Sequence, residues 1–427
     1  MVWTPWGQGI GSAIFIHSLA AIPWMVLLAG HSLLRVEPEL EEEALSYLSQ
    51  LKTACHVTLK RSWPMIFLAT IWIGLQIATE ITVTDLMQIR TIAEEVYTQL
   101  VAPDNSRGSI SGESRALAVA IPVSLVVGVL LALIWIINGK QIGRRLADQG
   151  QQPVEFELKS FKWICFGLVF LFCIFEIGLP LFSLGWRAGA RIPQREWSAP
   201  LMFSHLLKTT FGETRLLGNS LLAALFSGMI TTALATVACW CARESMVTRI
   251  ILVVLSVIAL VLPGPVTGLG LKSGLQIIVD GTGSEIVADW LWHGPSIIPI
   301  IWVDLIRFFP VGVALVWPMM ERMPADLFES SRIEGARPDQ ELLMVVVPFL
   351  KTTLLRTTLV VAILSLAELS ASKLVSTPPN PSLAGELFAQ MHYGVNNNLA
   401  ARCIVLIGMV ISMGIGVSYL SGKDKNR

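Results

Sequence analysis

The chain has 427 residues, 53% hydrophobic and only 15% charged, with a mean hydropathy of +0.64, whereas an ordinary soluble domain carries roughly 25% charged residues. That composition excludes a single water-soluble globule and makes the lipid bilayer the first expected partner. The 31 basic and 31 acidic residues cancel, so net charge gives no reason to expect nucleic acid or an acidic ligand.

A helix crossing hydrocarbon needs about 20 mostly apolar residues, because its backbone must satisfy its own hydrogen bonds. Nine stretches qualify: 10–34, 64–83, 116–137, 163–184, 216–241, 250–271, 296–319, 350–370 and 401–420. The expected fold is therefore all-α, a polytopic membrane protein with about nine transmembrane helices. The first stretch follows an uncharged tail, MVWTPWGQG, and ends in no small-residue cleavage site, so it reads as a span and not as a signal peptide.

Short loops rich in Lys and Arg stay cytoplasmic. The loop after the third stretch holds Lys140, Arg144, Arg145, Lys159 and Lys162, which places it inside. Alternation then puts Arg243 and Arg249 inside, the acidic loop with Asp280, Glu285 and Asp289 outside, and the tail with Lys423, Lys425 and Arg427 inside. The C-terminus is thus expected in the cytoplasm and the N-terminus outside. The segment 185–215 conflicts with this scheme: it is expected as an external loop, yet it carries Arg187, Arg191, Arg195, Lys208 and Arg215.

Two loops on the expected cytoplasmic side read alike, PELEEEALSYLSQ from Pro38 and PADLFESSRIEGA from Pro324, at an offset of 286 residues. Downstream, Glu80 matches Glu368 at an offset of 288 and Gln99 matches Gln390 at 291. A slowly drifting offset suggests duplication of a helical unit. The expected domains are a partial first repeat over 1–150, with three spans and a degenerate loop at 38–64, and a complete second repeat over 151–427, with six spans and a loop at 320–350.

Ionisable groups inside a span need a reason to be there. Asp304 and Arg307 lie three apart, so they can meet on one helix face and neutralise each other, the alternative being a gate or pathway contact. Glu80 and Glu368 sit at matching positions near the outer ends, either framing the external mouth or simply solvated. Glu176 has no evident partner. The six cysteines and six histidines show no ligand spacing, so neither a metal site nor a disulfide framework is expected. Nothing resembles a phosphate-binding loop of Gly, four residues, Gly-Lys and then Ser or Thr, so no ATP site is expected in this chain.

The second loop carries the most specific signal. Glu329, Ser330 and Ser331 are followed after three residues by Gly335, and after nine more by Val345, Val346, Val347 and Pro348. This resembles the cytoplasmic coupling loop of ABC importer permeases, a Glu-Ala-Ala triplet, three residues, Gly, nine residues, then Ile-x-Leu-Pro. Pro324 can start a short helix, and Gly335 can take the positive φ that ends it. The first loop keeps Glu43, Ala44 and Leu45 but has Ser49 in place of the glycine, so its turn is expected to be built differently or to have diverged as a docking site. The segment around Pro263, Gly264 and Pro265 is similar to one in the duplicated iron(III) and thiamine permeases.

The resemblance implies a type I ABC importer permease in a bacterial inner membrane. It implies partner ATPase subunits that bind ATP and Mg at the cytoplasmic face and an extracytoplasmic solute-binding protein, with no cofactor held by this chain. Aligning the two loops leaves three first-repeat helices unaccounted for upstream of the first loop, expected from a longer gene or another chain, the alternative being a genuinely shortened half. Iron(III) is the leading substrate, ahead of thiamine, molybdate, sulfate and polyamine. A secondary transporter is the alternative, and would need broken helices and ion-coordinating groups at mid-membrane; an intramembrane enzyme lacks a catalytic cluster.

Overall fold

A computed structural model describes residues 7–34, 36–101, 112, 114–122, 124–129, 154–157, 161–191, 196–377, 379–394 and 396–424. It begins with α1 (Ile10–Leu33), α2 (Pro38–Tyr47), α3 (Gln50–Thr53), a π-helical turn (Ala54–Thr58), α4 (Leu59–Ala78), α5 (Thr82–Leu86), α6 (Ile92–Val101) and α7 (Ser114–Val129). It continues with α8 (Phe161–Cys173), a π turn (Ile174–Gly178), α9 (Leu179–Gly189), α10 (Ala199–Gly212), α11 (Thr214–Glu244), α12 (Met246–Val261), α13 (Gly264–Thr282) and α14 (Glu285–Ala288). After a π turn (Asp289–His293) come α15 (Ile298–Glu321), α16 (Ala325–Ile333), α17 (Pro338–Gln340), a π turn (Glu341–Val346), α18 (Val347–Leu366), α19 (Ser372–Val375), α20 (Leu383–His392) and α21 (Asn397–Asp424). Among the described residues the β structure is one short ladder, Ala190–Arg191 against Glu196–Trp197.

Among the described residues six helical runs are long and apolar enough to cross a bilayer: Ile10–Gly30, Phe161–Gly189, Thr214–Glu244, Ile298–Glu321, Pro338–Leu366 and Asn397–Gly422. The protein is therefore a multi-pass, all-α membrane protein. Three of the nine expected stretches lie outside these six. The stretch 250–271 is not one helix: α12 stops at Val261, and α13 leaves at 107° to it. Leu262, the residue before Pro263, is extended at ψ 122°, as a residue preceding proline favours, and Pro265 sits in the first turn of α13, where its missing donor costs nothing. The stretch 64–83 is divided between α4, which ends at Ala78 and carries Lys60 and Arg61 in its first turn, and the turn into α5. The stretch 116–137 is described only as far as Val129.

The segment 185–215, expected as a loop, is instead the end of α9, the β ladder and α10. Pro200 sits in the first turn of α10, which packs along α21. The expected inside residues Lys140, Arg144, Arg145, Lys159, Lys425 and Arg427, together with Arg195, lie outside the described residues.

Contacts divide the chain into one unit of Met1–Glu95 with Val129–Phe182 and another of Val96–Gly128 with Ser183–Arg427. Residues 96–128 thus group with the later part of the chain, because Val96, Ala116 and Ala120 are buried against Val266 and Leu269 of α13. In the first unit α1 packs on α4, with Trp24 edge-on to Trp72 at 6.0 Å. In the second, α11, α15 and α18 form the centre. Small residues let these backbones approach: a Cβ on Gly228 would overlap the Thr358 carbonyl, and one on Gly312 would lie 3.1 Å from Ala235.

The same order of elements occurs twice. Helices α1 and α15 both have 24 residues, with bounds 288 apart at each end; α4 and α18 both have 20, also 288 apart; α6 and α20 both have 10, at 291. Between α1 and α4, and again between α15 and α18, lie two short helices and a π turn.

Candidate functional site

The 320–350 loop is a hairpin of short helices. Pro324 caps α16, and Gly335 ends it with φ +78°. The N–H of Ala336 donates to the Ser331 carbonyl at 2.9 Å and that of Gly335 to the Arg332 carbonyl at 3.0 Å, the paired bonds of a Schellman cap. α17 and a π turn then lead without interruption into α18. Pro348 stands just beyond this π turn, where its absent N–H leaves the Met344 carbonyl without the regular helical donor.

Two buried side chains fasten the hairpin to the bundle. Phe328 is 2% exposed and packs with Cys239, Met320, Met323, Val346 and Leu350, while the Arg243 guanidinium lies 3.2 Å from its ring centroid. Glu341 is buried and accepts from Trp240 Nε1 at 3.0 Å and from Arg332 Nε at 3.2 Å, with Arg243 at 4.0 Å. Arg332 also donates to Glu244, which raises the guanidinium pKa still further. Asp326, Glu329, Ser330 and Ile333 remain exposed on the outer side of α16, whereas Ser331 is buried and donates to the Phe328 carbonyl at 2.8 Å. Val345 is half-buried and Pro348 exposed.

The 38–64 loop has a different turn. α2 ends in Leu48 at φ −120°, ψ 154°, followed by Ser49 at φ −70°, ψ 155°. Two extended residues replace the left-handed glycine. Glu41, not Glu43, is the buried anchor and accepts from Thr58 Oγ1 at 2.5 Å, while Glu37 and Arg61 form a two-bonded ion pair. Glu43 is exposed, and Ala44 and Leu45 are half-buried.

At the opposite end of the second unit's spans, the expected Asp304–Arg307 pair does not form. Arg307 Nε lies 2.8 Å from Glu368 Oε2. Glu368 is buried, and its other oxygen accepts from Ser370 Oγ and the Ala371 N–H, both at 2.8 Å. Asp304 accepts instead from Ser227 on α11 at 3.2 Å and from Ser365 on α18. A fixed i, i+3 spacing permits contact, but side-chain direction and the depth of neighbouring helices choose the partner. Glu80, in the first unit, caps the N–H groups of Thr82 and Val83 and lies 4.0 Å from His17 of α1. Neither glutamate is a freely solvated end residue.

Glu368 also lines a small cavity of about 20 Å³, room for about one water, with the polar side chains of Asn219, Ser220, Ser365, Asn380 and Ser382. Asn219 Nδ2 donates to Asn380 Oδ1 at 2.6 Å, and Ser220 Oγ accepts from the Leu383 N–H at 2.9 Å. Sequence reasoning missed Phe328, Glu341 and the cavity. Glu341 did leave a trace, an acid at the head of a long apolar run. Among the described residues no cluster of three metal-ligating side chains occurs. No family model matches the chain, and no curated protein matches it in sequence.

Proposed function

We propose that the chain is the transmembrane permease subunit of an ATP-driven ABC importer in a bacterial inner membrane. The observation that carries the reading is the α16–Gly335–α17 hairpin, anchored by Phe328 and Glu341 and continuous with the spans α15 and α18. Such a hairpin moves as one piece with its helices, as a lever between a soluble ATPase and a membrane pathway must. Its exposed face, with Asp326, Glu329, Ser330 and Ile333, is the docking surface for the ATPase subunit, which holds ATP and Mg. The matched lengths and offsets of α1/α15, α4/α18 and α6/α20 support an internally duplicated permease, with Glu43, Ala44, Leu45 and Ser49 in the diverged first docking loop. Glu80 and Glu368 then occupy equivalent posts, each carboxylate holding the N–H three residues on. A binding protein delivers the solute outside, with iron(III) as the leading substrate; the solute that the binding protein retains on purification tests this. Co-purification of a stable ATPase subunit tests the class.

Gly335→Val places a branched side chain at φ +78°, at a local cost of about 1–3 kcal/mol. ATPase stimulation and transport are expected to fall while membrane insertion survives; wild-type stimulation would remove the hairpin from the mechanism. The orientation has a separate test in a cysteine-free background. Single cysteines at the exposed positions Ser46 and Ser330 are expected to resist an impermeant thiol reagent added outside, and one at Thr282 to react. Labelling at Ser330 from outside would invert the scheme.

A secondary transporter is the second reading, favoured by the 107° break between α12 and α13 and by the buried Asp304. Transport that persists without the ATPase and follows an imposed ion gradient would select it.

A further inference from the structure

Asp304 is fully buried where α11, α15 and α18 pack together. One of its oxygens takes the Ser227 and Ser365 hydroxyls, and the other, Oδ1, has no hydrogen-bond partner. The charges acting on it are those of Arg307 and Glu368, which neutralise each other as an ion pair at 2.8 Å. The elements packed around it add no closer charge in sequence. α11 has none between Arg215 and Arg243, and α18 has none from Arg356 to its end. α13 carries Lys272 and Asp280, and Lys373 of α19 lies over the rings of Tyr97 and Phe388.

An anion removed from water needs a countercharge or several strong donors. Two neutral hydroxyls on one oxygen, with the other oxygen unpartnered, do not supply them. A neutral carboxylic acid fits the same surroundings with a smaller desolvation cost. Ser365 meanwhile faces two ways: it bonds Asp304 and lines the polar cavity.

We propose that Asp304 is a proton-binding site, a neutral acid in this packing that exchanges its proton with the polar cavity through the Ser365 hydroxyl. On release, the Ser365 hydroxyl, which donates to Asp304 in this packing, turns its proton toward the cavity, and the Asp304 O–H bond breaks as an O–H bond forms on Ser365 Oγ. The original Ser365 proton passes to a cavity water, leaving a carboxylate and a hydronium ion; uptake is the reverse. Parting α18 from α15 opens Asp304 to water and favours release, so any cycle that loosens this packing is linked to a proton. The inference goes beyond the importer reading and holds for either transport class.

Infrared spectroscopy of the full chain in lipid vesicles tests it without any transport assay. At neutral pH, wild-type protein is expected to show the C=O stretch of a neutral carboxylic acid that Asp304→Asn removes. Ser365→Ala is expected to shift that band and to slow its deuterium exchange several-fold. If Asp304→Asn instead removes carboxylate-anion bands and leaves the acid region unchanged, the site is ionised and the proposal fails. Unchanged exchange in Ser365→Ala overturns the route. Should the asparagine variant not fold, the serine variant decides: a shifted acid band supports the proposal, and the absence of any acid band in both it and the wild type overturns it.

Discussion

Phe328→Ala is expected to uncouple the loop hairpin from the membrane bundle. Phe328 is the α16 side chain that enters the cluster formed by α11, α12, α15 and α18, and truncating a buried phenylalanine costs about 3–5 kcal/mol. The ring also carries the Arg243 guanidinium at 3.2 Å, a contact worth about 1 kcal/mol more. Backbone caps would still form α16, since the bonds at Ala336 and Gly335 do not involve the ring. The helix would therefore persist but swing free. ATPase stimulation should collapse, and limited proteolysis should cut the loop near Arg337 faster than in wild type, while the protein still inserts. Phe328→Leu, which keeps the apolar contact, should recover most of the coupling. Undiminished stimulation in Phe328→Ala would mean that force does not pass through this anchor.

Arg307→Ala is expected to be the most damaging change at the opposite end. It leaves the Glu368 carboxylate buried with only the Ser370 hydroxyl and the Ala371 N–H as donors, and stranding one member of a buried ion pair costs about 3–5 kcal/mol. The turn between α18 and α19 should loosen, and with it the wall of the polar cavity. Thermal unfolding in detergent should show a large drop in stability. Pairing Arg307→Ala with Glu368→Gln should restore most of it, because no charge then remains unpaired. If the double variant is no better than the single one, the arginine acts through packing and not through the pair. Gly264 adds a constraint from the α12–α13 corner: a Cβ there would overlap both Ser370 Oγ and an Arg307 nitrogen. The corner, the ion pair and the turn are one packed assembly.

The sequence by itself determined the features that depend on a few neighbouring residues. Apolar runs near 20 residues specified lipid-crossing helices, since the backbone's hydrogen-bond demand in hydrocarbon depends on length and polarity alone. Gly335 could be picked out as the left-handed cap because steric freedom at one φ is a property of one residue. The spacing between Glu80 and Glu368 returned as the spacing between α4 and α18. Only the tertiary structure decided which groups meet across helices. Asn219 finds Asn380 161 residues away, Arg307 turns from Asp304 to Glu368, and Glu341 gathers Trp240 and Arg332 from two other elements. Each choice depends on how far separate helices are rotated and how deep they sit, which are set by small-residue contacts such as Gly228 against Thr358 and Gly312 against Thr231. The corner at Pro263 is of the same kind: an apolar count runs straight through it, but the residue before the proline is extended, so the helix ends and the chain turns to pack elsewhere.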